Sequence, residues 1–168
     1  MDPVNSKSTP KIVTIGAYGF DEQRFLEALT HAHVDTFCDL RLRRGMRGRQ
    51  YAFANSARLQ ESLSRLNIRY IHIKELAPSQ SIRSLQKEAD AMSGQTKSSR
   101  TGLAPEFVQS YRQQNLSRFK VSDFLSLVRD ASVVALFCVE RDPRACHRSI
   151  VADQFSQELN TPIHNLTP

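Results

Sequence analysis

The sequence predicts an α/β domain: a mostly parallel β-sheet of about four to five strands with helices on both faces. Two observations predict it. Short β-branched or apolar runs alternate with amphipathic stretches of about a dozen residues, the rhythm of right-handed crossovers between parallel strands. In addition, "SVVALFCV" is apolar or small throughout, as a central strand covered on both faces must be. One domain is the simplest division of 168 residues, expected over 11–168 after a loose tail over 1–10.

In order, "KIVTIG" reads as a first strand closed by Gly16, and "AYGF" as a turn. Asp21 is placed to cap a helix through "EQRFLEALTHAH", whose Phe25, Leu26 and Leu29 share a face. "VDTFCDL" is the second strand. A helix over 56–67 follows, with Ser56 as cap and Leu59, Leu63 and Leu66 spaced for burial. "IRYIHI" is the third strand. A long helical stretch then runs to "SVVALFCV", broken by "SGQTKSSRTG", a mobile loop or a lid by composition. "PRACHRSIVADQFSQEL" closes the fold as a last helix started by Asp142 and Pro143. In such a sheet, ligands sit beyond the carboxyl ends of the strands. Gly16 to Gly19, Asp39 and Arg41, His72 to Glu75, and Cys138 onward should therefore converge on one edge.

Charge is concentrated rather than spread. The formal net charge is +6, yet "RLRRGMRGR" alone holds five arginines and no acid, and the remaining 18 basic and 17 acidic residues nearly cancel. This excludes a uniformly basic coat for nucleic acid and leaves a near-neutral body with one arginine-rich segment. No apolar run approaches the roughly 20 residues of a membrane span, and the N-terminus lacks a signal-peptide core. A cytoplasmic address without membrane contact is expected. Three cysteines make no disulfide framework, and in a reducing compartment they are core residues, ligands or nucleophiles.

"LFCVERDPRACHRS" carries the densest chemistry. Cys138 and Arg144 have the C-x5-R spacing of cysteine phosphatases, but the loop between them has no glycine, and Glu140 and Asp142 would repel a phosphate. Cys146 lies at the start of the last helix beside His147, Arg144 and Arg148, a setting that favours a thiolate. The plainer reading packs Cys146 as a small hydrophobe and pairs Arg148 with Glu140. Cys138, Cys146 and His147 are also soft metal ligands, with Cys38, His72 or an acid as a fourth, although C-x7-C-H matches no standard zinc knuckle. No metal is assigned on spacing alone.

The second dense piece is "CDLRLRRGMRGRQYAF". Asp39 and Arg41 share a side of an extended segment, so Asp39 can orient the arginine. The remaining arginines, followed by Tyr51 and Phe53, suit phosphate contact and base stacking. The plainer reading is a solvated loop. His31 and His33 end a helix and carry no expected chemistry.

Taken together, "TIGAYGF", "DLR" after the second strand, "IRYIHIKEL", "FVQSYR" and "LFCVERDPRACHRS" resemble the domain-of-unknown-function family numbered 488. The resemblance spans about Val13 to Ala152, and its most specific part is C-x-E-x-x-P-x-x-C-H-R, here Cys138, Glu140, Pro143, Cys146, His147 and Arg148. It implies a single compact α/β domain and supplies no reaction. Two places depart from the family's pattern: "GAY" after the first strand, where members often have Gly-His or Gly-Tyr, and "LAPS" after the third, where they often have Leu-Gly-Gly.

Two functional readings follow. One is an enzyme or enzyme-like domain acting on nucleic acid or a nucleotide. In it Arg41, Arg43 and Arg44 bind phosphate, and Arg148 and Arg144 sit nearer the reacting group. Cys146 or Cys138 is the reactive thiol, and His147 or Glu140 the acid/base, with Glu140 expected to stay ionised among the arginines. The absence of a glycine-rich fingerprint argues against a dinucleotide, so no cofactor is expected. The other is a non-catalytic nucleic-acid-binding or adaptor module whose Cys/Glu/Arg cluster is structural. Oligomeric state is left open.

Overall fold

The computed structural model describes residues 8–168. Of the expected tail over 1–10, residues 1–7 lie outside the described residues, Ser8 and Thr9 are exposed, and Pro10 is buried. Five parallel strands form one sheet: β1 (Lys11–Ile15), β2 (Thr36–Asp39), β3 (Arg69–His72), β4 (Val133–Phe137) and β5 (Ile163–Leu166). Their order is β3-β2-β4-β1-β5, which puts the all-apolar β4 at the centre. Every residue of β2 and β4 is buried, because helices cover both faces of a parallel sheet.

Side chains alternate between two cores. Val13, Ile15, Phe37, Ala135 and Phe137 face the helices α1 (Glu22–His31) and α2 (Ser56–Arg65), through Phe25, Leu29, Leu59 and Leu63. Ile12, Cys38, Val134 and Leu136 face α3 (Gln80–Ser93), α4 (Pro105–Tyr111), α5 (Val121–Leu127) and α6 (His147–Leu159). The chain leaves β1 and β2 on one side of the sheet and β4 on the other. A crevice must therefore open at the carboxyl end of β4, between it and β2, where the chain leaves neighbouring strands to opposite sides and such sheets bind ligands.

Local chemistry sets the element ends. Asp21 Oδ1 accepts from Arg24 N at 2.8 Å and starts α1 as expected. Three boundaries differ from the sequence reading. Asn55 rather than Ser56 is the N-cap of α2, and Leu66 lies past that helix and is 39% exposed. The last helix starts at His147, because Asp142 and Pro143 instead start a separate 3-10 turn over Pro143–Ala145, with Asp142 Oδ1 accepting from Arg144 N at 2.9 Å. The short edge strand β5 has the exposed polar residues His164 and Asn165 at its middle and gives no apolar signal. No helix among the described residues is long and apolar enough to cross a membrane.

Candidate functional site

A cleft of about 760 Å³ opens at the carboxyl edge of the sheet. It is lined from the turn after β1 (Tyr18), the loop after β2 (Arg41 to Arg47), α3, the segment 95–100, and the loop from Cys138 to His147. The loops after β1 and β4 are locked together there. Ala17 N and Tyr18 N both donate to Val139 O at 3.0 Å. Gly16 permits this approach, since a Cβ on it would stand 2.0 Å from the main-chain oxygen of Glu140.

On the inner wall, one ligand atom from each of Cys138, Cys146 and His147 lies within 4.8 Å of the others, and all three residues are buried. Cys138 follows β4 directly, and Cys146 is the N-cap of α6. His147 Nε2 meets Leu40 O at 3.1 Å. A carbonyl oxygen only accepts, so Nε2 carries the proton, and in the neutral ring Nδ1 presents its lone pair to Cys138 Sγ at 3.7 Å. Tyr111 packs edge-on against this imidazole, with centroids 5.5 Å apart, and its hydroxyl donates to Leu76 O at 2.6 Å. A π-helical segment, Arg112–Leu116, carries α4 onward so that Asn115 Nδ2 donates to Glu75 O and Ala77 O, at 2.9 and 3.0 Å.

The two thiols differ. A hydrogen bond to Cys146, burial and the charge of Cys146 push Cys138 well above the ordinary thiol value. Burial also works against ionising Cys146, but the hydrogen bond from Cys138, the Arg148 charge and His147 outweigh it and bring it well below. Cys38, by contrast, lies in the core, where burial pushes it up to about 12.

Glu140 lines the same cleft and is buried. Burial and then the Cys146 charge raise its pKa, while Lys97 opposes them. Its Oε1 meets Arg100 Nη2 at 3.2 Å and Lys97 Nζ at 3.7 Å, whereas Oε2 is buried without a partner among the described residues. Arg100 Nη1 also donates to Asp90 Oδ2 at 3.0 Å. The polar segment over 93–102 is thus a strap tied across the cleft by ion pairs to α3 and to Glu140.

Several expected anion-binding arginines are occupied within the fold. Arg148 is fully buried and does not line the cleft. It donates to Glu140 O at 2.6 Å, Arg141 O at 3.3 Å and Thr14 Oγ1 at 3.4 Å, and so joins main-chain oxygens rather than the Glu140 carboxylate. Arg144 folds back onto Asp142 through Nε at 3.1 Å and Nη2 at 2.8 Å, outside the cleft, which dissolves the C-x5-R arrangement. Arg41 reaches the cleft wall, but its guanidinium is spent on Asp39 (2.9 and 2.8 Å), Ala54 O (2.9 Å) and the Phe137 ring (4.7 Å). Asp39 also accepts from the Tyr70 hydroxyl at 2.6 Å, and Arg44, whose charge lies near Tyr70, does not line the cleft. Asp39 is therefore an orienting residue for Arg41.

Arg43 does face the cleft together with Arg47 of the same arginine-rich loop, and with them stand two residues the sequence did not single out, Arg83 and Lys87, one turn apart on α3. None of these four has a carboxylate within ion-pair distance among the described residues. The signal available in the sequence was the like-charge pair Arg83 and Lys87 at i,i+4, which costs helix stability unless a ligand uses it.

The model described as "Domain of unknown function DUF488" matches residues 21–155, from the cap of α1 into α6, and takes in the whole cluster from Cys138 to Arg148. No curated protein and no solved structure matches the chain. The chain belongs to the DUF488 family.

Proposed function

We propose that this chain is a catalytic domain acting on a phosphate-bearing ligand of the nucleotide class, free or at the end of a nucleic-acid strand. The observation that carries this is one juxtaposition. Four cations without carboxylate partners, Arg43, Arg47, Arg83 and Lys87, ring a cleft whose inner wall is Cys138, Cys146 and His147. The cleft volume suits a small ligand rather than a broad macromolecular face. In this reading the cations hold phosphate oxygens. Tyr18, packed at 4.9 Å on Tyr51, offers an aromatic wall for a base. The group to be transformed then lies over the sulfur cluster, with Glu140 as acid/base and Asp39 and Arg148 as positioning residues.

The test is to incubate the folded chain with nucleoside phosphates and a 5′-phosphorylated oligonucleotide, and to search for product by mass spectrometry. The reading expects a product that disappears in a folded Cys146→Ser variant and weakens in Arg83→Ala. Turnover that survives loss of both Cys138 and Cys146 contradicts it.

A second reading, a non-catalytic nucleic-acid-binding module, draws support from the exposed Arg47 and Arg49. It expects binding that depends on those arginines and is indifferent to Cys146→Ser in a chain that stays folded.

A further inference from the structure

We propose that Cys138, Cys146 and His147 bind a zinc ion, with a fourth coordination position open to the cleft. The inference does not depend on whether the cleft turns a ligand over.

The donor set is the first argument. Two thiolates and an imidazole suit zinc and exclude magnesium and calcium, which require oxygen. Spacing is the second. A tetrahedral zinc with bonds of about 2.3 Å to sulfur and about 2.0–2.1 Å to nitrogen separates its ligand atoms by roughly 3.6–3.8 Å. Cys138 Sγ and His147 Nδ1 stand 3.7 Å apart, and all three ligand atoms lie within 4.8 Å of one another. Closing onto an ion needs only a small movement of Cys146.

The shell around the ligands is the third argument. His147 donates its other ring N–H to Leu40 O, which fixes Nδ1 as the free lone pair; metal-binding histidines are held in this way. Tyr111 sets the ring plane. The ligands also come from fixed backbone, Cys138 at the end of the central strand and Cys146 and His147 at the head of α6.

A fourth observation points to a ligand at this place. Glu140 is buried beside the cluster, yet its Oε2 has no hydrogen-bond partner among the described residues. A water in the open fourth position would supply that donor and place a carboxylate next to a metal-bound oxygen. Binding balances simply. Any proton still on the thiols leaves to solvent, two sulfur–metal bonds and one nitrogen–metal bond form, and the dipositive ion neutralises the two thiolates. Three protein ligands with an open site is the arrangement of a zinc that acts on a substrate rather than only on the fold.

The experiment titrates cobalt(II), a spectroscopic stand-in for zinc, into the reduced, chelator-treated full chain, with zinc as competitor. The expected result is one equivalent bound, a sulfur-to-cobalt charge-transfer band in the near ultraviolet, intense tetrahedral visible bands, and displacement by zinc. Cys138→Ser and Cys146→Ser should each weaken uptake by more than about a hundredfold, the upper range for losing a mere outer-shell partner. Because a serine variant can fail to fold, His147→Cys is the second probe: it keeps three ligands, and its charge-transfer band should strengthen. Arg43→Ala with Lys87→Ala should leave uptake unchanged, which separates this site from anion binding. A folded chain with all three thiols reduced that shows no cobalt band overturns the proposal. So does a band unchanged in Cys138→Ser and Cys146→Ser.

Discussion

The Arg148 guanidinium donates to the main-chain oxygen of Glu140 at 2.6 Å, from a side chain with no exposed surface. That oxygen is the one that a Cβ on Gly16 would strike. Arg148 therefore holds the loop after β4 against the turn after β1 and so shapes the cleft, which makes it a building element of the site rather than a ligand contact. Arg148→Met should destabilise the fold by about 2–4 kcal/mol, since the buried Glu140 carbonyl and the part-buried Arg141 carbonyl lose a charged donor. Urea unfolding measures this.

Gly16→Ala should cost a comparable amount, about 2–3 kcal/mol, because the Glu140 main-chain oxygen, 2.0 Å from the added Cβ, cannot draw back to contact distance without moving the cleft loop. The same unfolding experiment checks it. Gly94→Ala makes a useful contrast, since its Cβ would meet nothing within 4 Å, so only the left-handed φ of 69° would oppose it.

Asp39→Asn should destabilise by about 3–5 kcal/mol, because it leaves the buried Arg41 guanidinium without its bidentate partner. Asp39→Asn together with Arg41→Met should recover part of that loss, and a double-mutant cycle reads the coupling.

These three predictions concern residues whose roles were only half visible in the sequence. The fold class was legible because β4 is apolar throughout and the helices keep their period. Strand order was not, since nothing local says that β4 inserts between β2 and β1. The edge strand β5 was not legible because its two middle residues, His164 and Asn165, are polar and exposed. The Asp39–Arg41 pairing followed from their spacing. That Arg148 and Arg144 are consumed by carbonyls and by Asp142 did not, because a sequence does not show whether a guanidinium already has acceptors. Arg83 and Lys87 sit on an ordinary polar helix, and only the fold turns them towards Arg43.

Cys38 should be the slow cysteine. With its pKa pushed up to about 12, the native thiolate fraction near pH 8 is on the order of 10⁻⁴. Mass spectrometry should therefore find it alkylated only as the chain unfolds. Linkage fixes the sign of the pH effect: the folded state holds this proton more tightly than the unfolded one. The contribution is whole below the ordinary thiol value of 9.0 and is lost as pH rises towards about 12. Cys38→Ala should flatten the fall in stability over that window, with the slope from Tyr111, whose burial also raises its pKa, left in place.

Binding of a phosphorylated single strand should weaken with salt. Arg43→Ala with Lys87→Ala should lower the slope of log affinity against log salt by about one per residue removed. Arg144→Ala should leave it nearly unchanged, because that side chain is paired with Asp142 outside the cleft. Fluorescence anisotropy across a salt series measures both.

If, as proposed, a phosphate-bearing ligand enters the cleft and reaches the sulfur cluster, an amide NMR titration with a nucleoside monophosphate should give saturable shifts that converge on Ala17 and Tyr18, Arg43 to Arg47, Arg83 to Lys87, and Cys138 to His147. Shifts confined to the exposed arginine loop, with the amides from Cys138 to His147 unmoved, would contradict it.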